Sequence, residues 1–294
     1  ETGLPIISLY GDNRKPTPEQ LAGVEVILFD IQDVGVRFYT YISTLSLVME
    51  AAAEADIPVV VLDRPNPNGY YVDGPVREEA FSSFVGMHPV PIVHGLTVGE
   101  YARMVNGEGW LPGELRCDLH VVRCKGYQHD RHYELPVAPS PNLPNAAAVR
   151  LYPSLALFEG TPVSIGRGTE RPFQVVGAPW FADSNTVFAP KDRPGAQNPK
   201  YEGQTCLGYD LREFARFYLR GMGKLYLYWL EGAYEQAPDK DGFFKPYFDL
   251  LAGTDKLRKQ IAAGKSVETI RASWQPGLER YKRRRQRYLL YPDF

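Results

Sequence analysis

The most restrictive stretch of the chain runs from Val24 to Tyr41, VEVILFDIQDVGVRFYTY. An unbroken apolar run, Val26 to Phe29, is followed at once by Asp30 and Asp33, then Gly35, Arg37, Tyr39 and Tyr41. A short apolar run without polar alternation is the pattern of a parallel strand buried on both faces, and the polar residues after it are what such a strand delivers to one edge of its sheet. In open α/β sheets, ligands bind outside the carboxyl ends of the strands. Asp30, Asp33, Arg37 and Tyr39 are therefore site candidates. The competing structural account is that Asp30 caps the next helix and Arg37 pairs with Asp33.

The same pattern recurs once. Leu45, Val48, Met49 and Ala52 follow at helical spacing, and Pro58 then introduces the run Val59 to Leu62. Strand, helix, strand describes a βαβ unit with a parallel pair. The second strand ends in Asp63-Arg64-Pro65-Asn66-Pro67-Asn68-Gly69, a proline-braced loop that adds Asp63, Arg64 and Asn66 to the candidates. If the pair is parallel, Asp63 lies near Asp30 at one sheet edge.

Flanking signals place the other elements. Leu4 to Tyr10 reads as a strand, and Thr17-Pro18-Glu19-Gln20 as the capping box of a short helix. Ser82 to Val93 reads as extended, and Thr97 with Glu100 caps a helix stopped by Gly107 and Gly109. Downstream, Asp210 with Glu213, Thr254, and Ser266 with Thr269 each open a helix; Pro276 predicts a kink or break in the last one. The basic run Lys282 to Arg287 predicts a solvated helix face, with Tyr281 and Tyr288 turned inward.

Four prolines between Pro136 and Pro144, PVAPSPNLP, mark a crossing between two units. The expected division is an α/β domain over 1–139 with a Rossmann-like parallel sheet, and a smaller α+β domain over 140–294. The crossing also offers Ser140 and Asn142 to a cleft. Beyond it, Glu159 follows Leu155, Leu157 and Phe158, while Gly160, Gly166 and Gly168 bracket Arg167, Thr169, Glu170 and Arg171. Glycines at this density imply sharp turns or close approach to a ligand. A carboxylate beside apolar residues is the setting that makes a general acid, although an ion pair of Glu159 with Arg167 or Arg171 satisfies the same residues. The dinucleotide fingerprint is absent, because no third glycine or helix follows Gly168.

Composition excludes several functional classes. A net charge of -2 gives no global field for nucleic acid or anionic membrane. No run reaches the roughly 18 apolar residues of a bilayer span. His88 and His94 lack metal-ligand spacing, and no further Cys or His completes a set with His129 and His132, so neither a metal nor a cofactor is expected. Cys117, Cys124 and Cys206 permit one disulfide at most and do not settle the redox compartment.

Several blocks together carry a family resemblance: FDIQDVGVRFYTYI, LDRPNPNG, SFVGMHPVPIVHGLTVGE, PSPNLPN, LFEGTPVSIGRGTERPF and the C-terminal SW with KRRRQRYLLY. They span essentially the whole chain, which resembles the bacterial DUF1343 family, whose characterised members are exo-β-N-acetylmuramidases. The resemblance implies a Rossmann-type α/β domain joined to a smaller α+β domain with the site between them. It also implies release of N-acetylmuramic acid from the non-reducing ends of peptidoglycan fragments, in the periplasm or outside the cell. Family members carry further N-terminal sequence with another α/β portion and a glutamate in a GPEHG-type motif, whereas this chain begins at ETGLPIISLYG. Such hydrolysis needs one carboxyl as acid and a second group as base, nucleophile or stabiliser. Glu159 is expected in one role and Asp30, Asp33 or Asp63 in the other. Arg37, Arg167 and Arg171 are candidates for the lactyl carboxylate of muramic acid, and Tyr39 and Trp180 for stacking on sugar rings. The rivals are a cell-wall muropeptide-binding protein without turnover and a magnesium-dependent phosphatase or phosphotransferase, the latter weakened by DIQD lacking DxD spacing.

Overall fold

The computed structural model describes residues 3–294. The apolar runs form the expected unit: β1 (Ile27–Phe29), α1 (Tyr41–Glu54) and β2 (Val59–Leu62), with Ile27 opposite Val59 and Phe29 opposite Val61 in parallel register. Next come β3 (Asp73–Val76) and β4 (Pro91–Val93), an antiparallel pair, then α2 (Val98–Glu108) and β5 (Leu119–Val122). β5 joins β2 in parallel, giving a sheet of order β1-β2-β5. The capping box that opens α2 is complete: the Thr97 hydroxyl accepts from the Glu100 amide, and the Glu100 carboxylate accepts from the Thr97 amide.

Only one face of this sheet is covered among the described residues. Phe29, Val59 and Val61 point into the core, whereas Leu28 and Val122 are 62% and 54% exposed on the opposite side. The expectation of a strand buried on both faces is therefore corrected for β1. Its unbroken apolar run builds a sheet surface that no described element covers.

The second part opens with α3 (Ala146–Leu155), whose first turn is capped by the Asn145 side chain accepting from the Ala148 amide at 3.0 Å. α3 runs into a 3-10 turn, Ala156–Gly160. Strands β6 (Val175–Ala178), β7 (Thr186–Phe188) and β8 (Cys206–Asp210) make an antiparallel sheet of order β6-β8-β7. Helices follow: α4 (Arg212–Phe214) and α5 (Arg220–Met222), joined by a π-helical turn, then α6 (Tyr228–Gln236), α7 (Pro246–Ala252), α8 (Lys256–Ala262) and α9 (Val267–Arg285). The architecture is α/β, with a parallel sheet first and an antiparallel sheet with helices second. α9 turns back to pack on β3, so the end of the chain returns to the β3-β4 pair.

Several local expectations are corrected. The segment from Leu4 to Leu9 is irregular rather than strand, and Leu4, Ile6 and Ile7 are exposed. Thr17 and Gln20 do exchange capping hydrogen bonds, at 3.3 and 3.0 Å, but they close a turn rather than a helix. Between Ser82 and Val93 only β4 is strand. Gly107 lies inside α2. Pro276 lies within a helix that runs unbroken for 19 residues. Within the basic run Arg285 is 1% exposed, because its guanidinium donates to the Gly95 carbonyl and pairs with Asp293. His129 sits in a loop rather than on a helical face with His132. All three cysteines are free thiols.

Candidate active site

The loops after β1 and β2 meet as parallel pairing requires, and they sort the candidates by exposure. Asp30 and Arg64 form an ion pair of 2.6 Å across the carboxyl ends of the two strands, both about half exposed. Asp33 turns inward: its Oδ2 accepts from the Gly35 amide at 2.6 Å and lies 3.6 Å from His94 Nε2. Asn66 is buried, donating to the Leu96 carbonyl and accepting from the Asn68 amide. Gly35 is left-handed, and a Cβ there would meet the Asn66 side chain at 2.2 Å, so the two residues lock the loops together. Asn66 is therefore a brace rather than a group offered to a ligand.

Asp63 is also withdrawn. Its carboxylate accepts from the Arg64 and Gly99 amides at 3.0 and 2.8 Å, from Thr97 Oγ1 at 2.7 Å and from Tyr291 Oη at 2.6 Å. A carboxylate with its lone pairs filled at the start of α2 anchors that helix end. Burial pushes its pKa up, against hydrogen bonds from Tyr291, Gly99 and Thr97 that pull it down. A catalytic role for Asp63 does not fit this geometry. Arg37 is corrected on the same ground: the guanidinium is 1% exposed and donates to the carbonyls of Pro75, Val90 and Leu251. Burial lowers its pKa to about 9.

Tyr39 links the two parts of the molecule. Its hydroxyl donates to the Pro139 carbonyl at 2.8 Å, in the proline-rich crossing, and its ring meets Tyr152 of α3 edge-on at 5.8 Å. Tyr39 is buried, so it supports the site from beneath rather than offering a stacking surface. Tyr152 in turn lies beside Glu159, and burial with that neighbouring carboxylate raises the phenol's pKa. Tyr247, at the start of α7, is raised by the same two causes.

Glu159 stands on the 3-10 turn and keeps 23% of its side chain exposed. Its Oε1 accepts from Arg167 Nη1 at 2.6 Å. Arg167 also reaches the Gly195 carbonyl at 3.5 Å, where Asn142 donates at 2.8 Å. The structure thus brings Glu159, Arg167 and Asn142 to one rim. Gly166 and Gly168, both at positive φ, make the turn that aims Arg167, and Thr169 closes it by donating to the Gly166 carbonyl and accepting from the Arg171 amide. Arg171 is committed elsewhere: it pairs with Asp210 at 2.8 Å and reaches Thr186, bracing the antiparallel sheet, so it is not free for a substrate carboxylate. Trp180 donates to Tyr201 Oη at 3.1 Å and packs on Phe181.

One residue at this rim has no mark in the sequence. Lys200 sends its ammonium to the carbonyls beneath Glu159, and only the folded loop shows it. Among the described residues, no group of three or more His, Cys, Asp or Glu side chains is placed to hold a metal ion, and no helix is long and apolar enough to cross a membrane.

A parallel sheet with acidic strand ends, joined through an aromatic contact to a second part that presents a partly exposed carboxylate and guanidinium, defines an α/β protein. Comparison with known proteins sharpens this. Residues 1–147 match the family model described as exo-beta-N-acetylmuramidase NamZ, N-terminal, and residues 150–291 match the corresponding C-terminal model. The chain belongs to the NamZ family. It is 39% identical over 308 aligned residues to peptidoglycan beta-N-acetylmuramidase NamZ of Bacillus subtilis (strain 168), a match covering 99% of this chain and 73% of the relative. Two crystal structures of DUF1343 family proteins from Bacteroides fragilis NCTC 9343 share the fold. One has a TM-score of 0.95 at 48% identity, covering 100% of this chain and 82% of the other. The second has a TM-score of 0.83 at 32% identity, covering 99% and 81%.

Proposed function

We propose that this protein is a glycoside hydrolase that releases N-acetylmuramic acid from the non-reducing ends of peptidoglycan fragments. The observation that carries this reading is the Glu159–Arg167 pair, a carboxylate bonded at 2.6 Å to a guanidinium that remains 40% exposed. Muramic acid differs from glucosamine by a lactyl carboxylate, and a guanidinium edge is the natural receptor for it. In this reading the lactyl group engages Arg167 and competes with Glu159 for it. Glu159 is then free to hold the proton that the departing glycosidic oxygen takes. Asp30 is the exposed one of the three candidate aspartates after β1 and β2 and is assigned the second role, because Asp33 and Asp63 are buried and hydrogen-bonded within the fold. Asn142 lines the same rim. Activity on such fragments accords with a periplasmic or extracellular location.

The test is release of muramic acid from a chromogenic β-muramide. Glu159→Gln is expected to lower kcat by about 10²–10⁴-fold, the range for a lost general acid. Arg167→Ala is expected to erode the preference for muramides over matched N-acetylglucosaminides. Retained turnover in Glu159→Gln rejects the acid assignment, and saturable binding without release by the unaltered chain points to the muropeptide-binding alternative.

A further inference from the structure

The carboxylate assigned as acid stands on a turn whose backbone is held by an unusual partner. Lys200 is an exposed loop residue, yet its Nζ lies 2.8 Å from the carbonyl of Phe158, 3.2 Å from that of Glu159, 2.5 Å from that of Thr161 and 3.3 Å from that of Val163. The end of a helical turn leaves carbonyls without intrahelical partners and with partial negative charge. Here the carbonyls of Phe158 and Glu159 at the end of the turn, and of Thr161 and Val163 just beyond it, converge on one ammonium with three hydrogens, in the manner of a monovalent cation in a carbonyl cage. The side chains of Phe158, Thr161 and Val163 are locked in the interior, while that of Glu159 alone points outward. The cage therefore fixes the backbone that sets where the Glu159 carboxylate lies.

We propose that Lys200 is a positioning residue for catalysis: its ammonium clamps the turn from Phe158 to Val163 and so holds Glu159 in register with the scissile bond. The inference rests on the reading of Glu159 as the acid and adds the group that orients it. Other polar contacts in the turn do not replace the clamp. The Thr161 amide and hydroxyl both return to the Phe158 carbonyl, and the Lys245 amide takes that of Gly160, which leaves the Glu159 carbonyl to Lys200. Burial of the ammonium lowers its pKa to about 8, so the clamp is charged at neutral pH.

The test uses the full chain with Lys200→Ala and with Lys200→Met, which keeps side-chain length without charge, each first checked by thermal melting for a folded population. Displacement of a reacting group by about 1 Å costs on the order of 10²-fold, so kcat should fall by at least roughly tenfold while KM stays within about threefold. In Lys200→Ala, added ethylammonium should restore part of kcat, and tetramethylammonium, which has no N–H, should not. Amide hydrogen exchange over 159–164 should accelerate in both variants. Unaltered kcat in Lys200→Ala beside an inactive Glu159→Gln overturns the positioning role and leaves the acid assignment standing. Turnover retained in Glu159→Gln overturns the acid assignment instead, and unchanged exchange in the Lys200 variants overturns the clamp on its own.

Discussion

Asp30 and Asp63 occupy equivalent places at the ends of neighbouring strands, yet one is open and the other closed. What separates them is long-range: Tyr291, 228 residues away, donates to Asp63, whereas Asp30 pairs with Arg64 across the strand ends. The sequence makes both legible as strand-end acids and makes neither partner legible, because side-chain saturation depends on tertiary contacts that no local spacing records. Arg37 has the same history: its three carbonyl acceptors come from β3, the segment before β4 and α7. Histidine gives a prediction at this scale. His88 stacks on Trp110 at 5.1 Å with its Nε2 2.9 Å from Ser46 Oγ, and burial, aided by Arg77, lowers its pKa to about 4. The unfolded chain, with an ordinary value near 6.5, then binds more protons than the native state between pH 6.5 and 4. Stability from this residue is fully present above that window and is lost as pH falls through it, by roughly 3 kcal/mol in all. Urea midpoints at pH 7 and pH 4 should show a shallower acid loss in His88→Gln than in the unaltered chain.

Elements were legible where periodicity and capping agree, as in β2, the capped start of α2 and the start of α9 at Ser266. They were not legible where tertiary contact overrides local chemistry. Pro276 remains inside α9, and the run of basic residues after it contains one arginine drawn into the interior by the Gly95 carbonyl. Glycine at the end of the 3-10 turn sets an element-scale constraint. A Cβ on Gly160 would stand 2.4 Å from Phe248 Cα and 2.5 Å from its nitrogen, so the turn bearing Glu159 and helix α7 touch backbone to backbone. Main-chain atoms cannot rotate aside as a flexible side chain can. Gly160→Ala should therefore destabilise the fold by about 1–3 kcal/mol, the usual cost of overpacking. It should also lower kcat through displacement of Glu159, with thermal melting and steady-state assay as the two readouts. A stability within experimental error of the unaltered chain would show that the turn and α7 can separate without cost.

At the scale of the molecule, hydrogen bonds cross the division expected at the proline-rich crossing. The chain's last residues lie on the first unit. The Leu290 amide donates to Glu100 at 2.7 Å, the His129 amide to the Pro292 carbonyl at 3.0 Å, and Arg103 to the Tyr288 carbonyl at 2.9 Å. Glu100 itself lies 2.9 Å from His129 Nε2, both fully buried, so the tail closes over an interior carboxylate–imidazole contact. Nothing in the local pattern of KRRRQRYLLY announces this, since the partners are supplied by α2 and the loop after β5. Such a strap is expected to make the two parts unfold as one cooperative unit. Tyr291→Phe removes the hydroxyl that donates to Asp63 and accepts from the Cys124 amide, leaving Asp63 one donor short and that amide without this acceptor, at a cost of about 1–3 kcal/mol. Because the strap joins the beginning of the chain to its end, the loss should move unfolding of both parts together. Far-ultraviolet circular dichroism and tryptophan fluorescence, which draws on Trp110 in the first part and Trp180, Trp229 and Trp274 in the second, should give coincident transitions shifted by the same amount. Separate transitions, with only one displaced by Tyr291→Phe, would mean that the parts fold independently and that the tail is a local seal rather than a clasp.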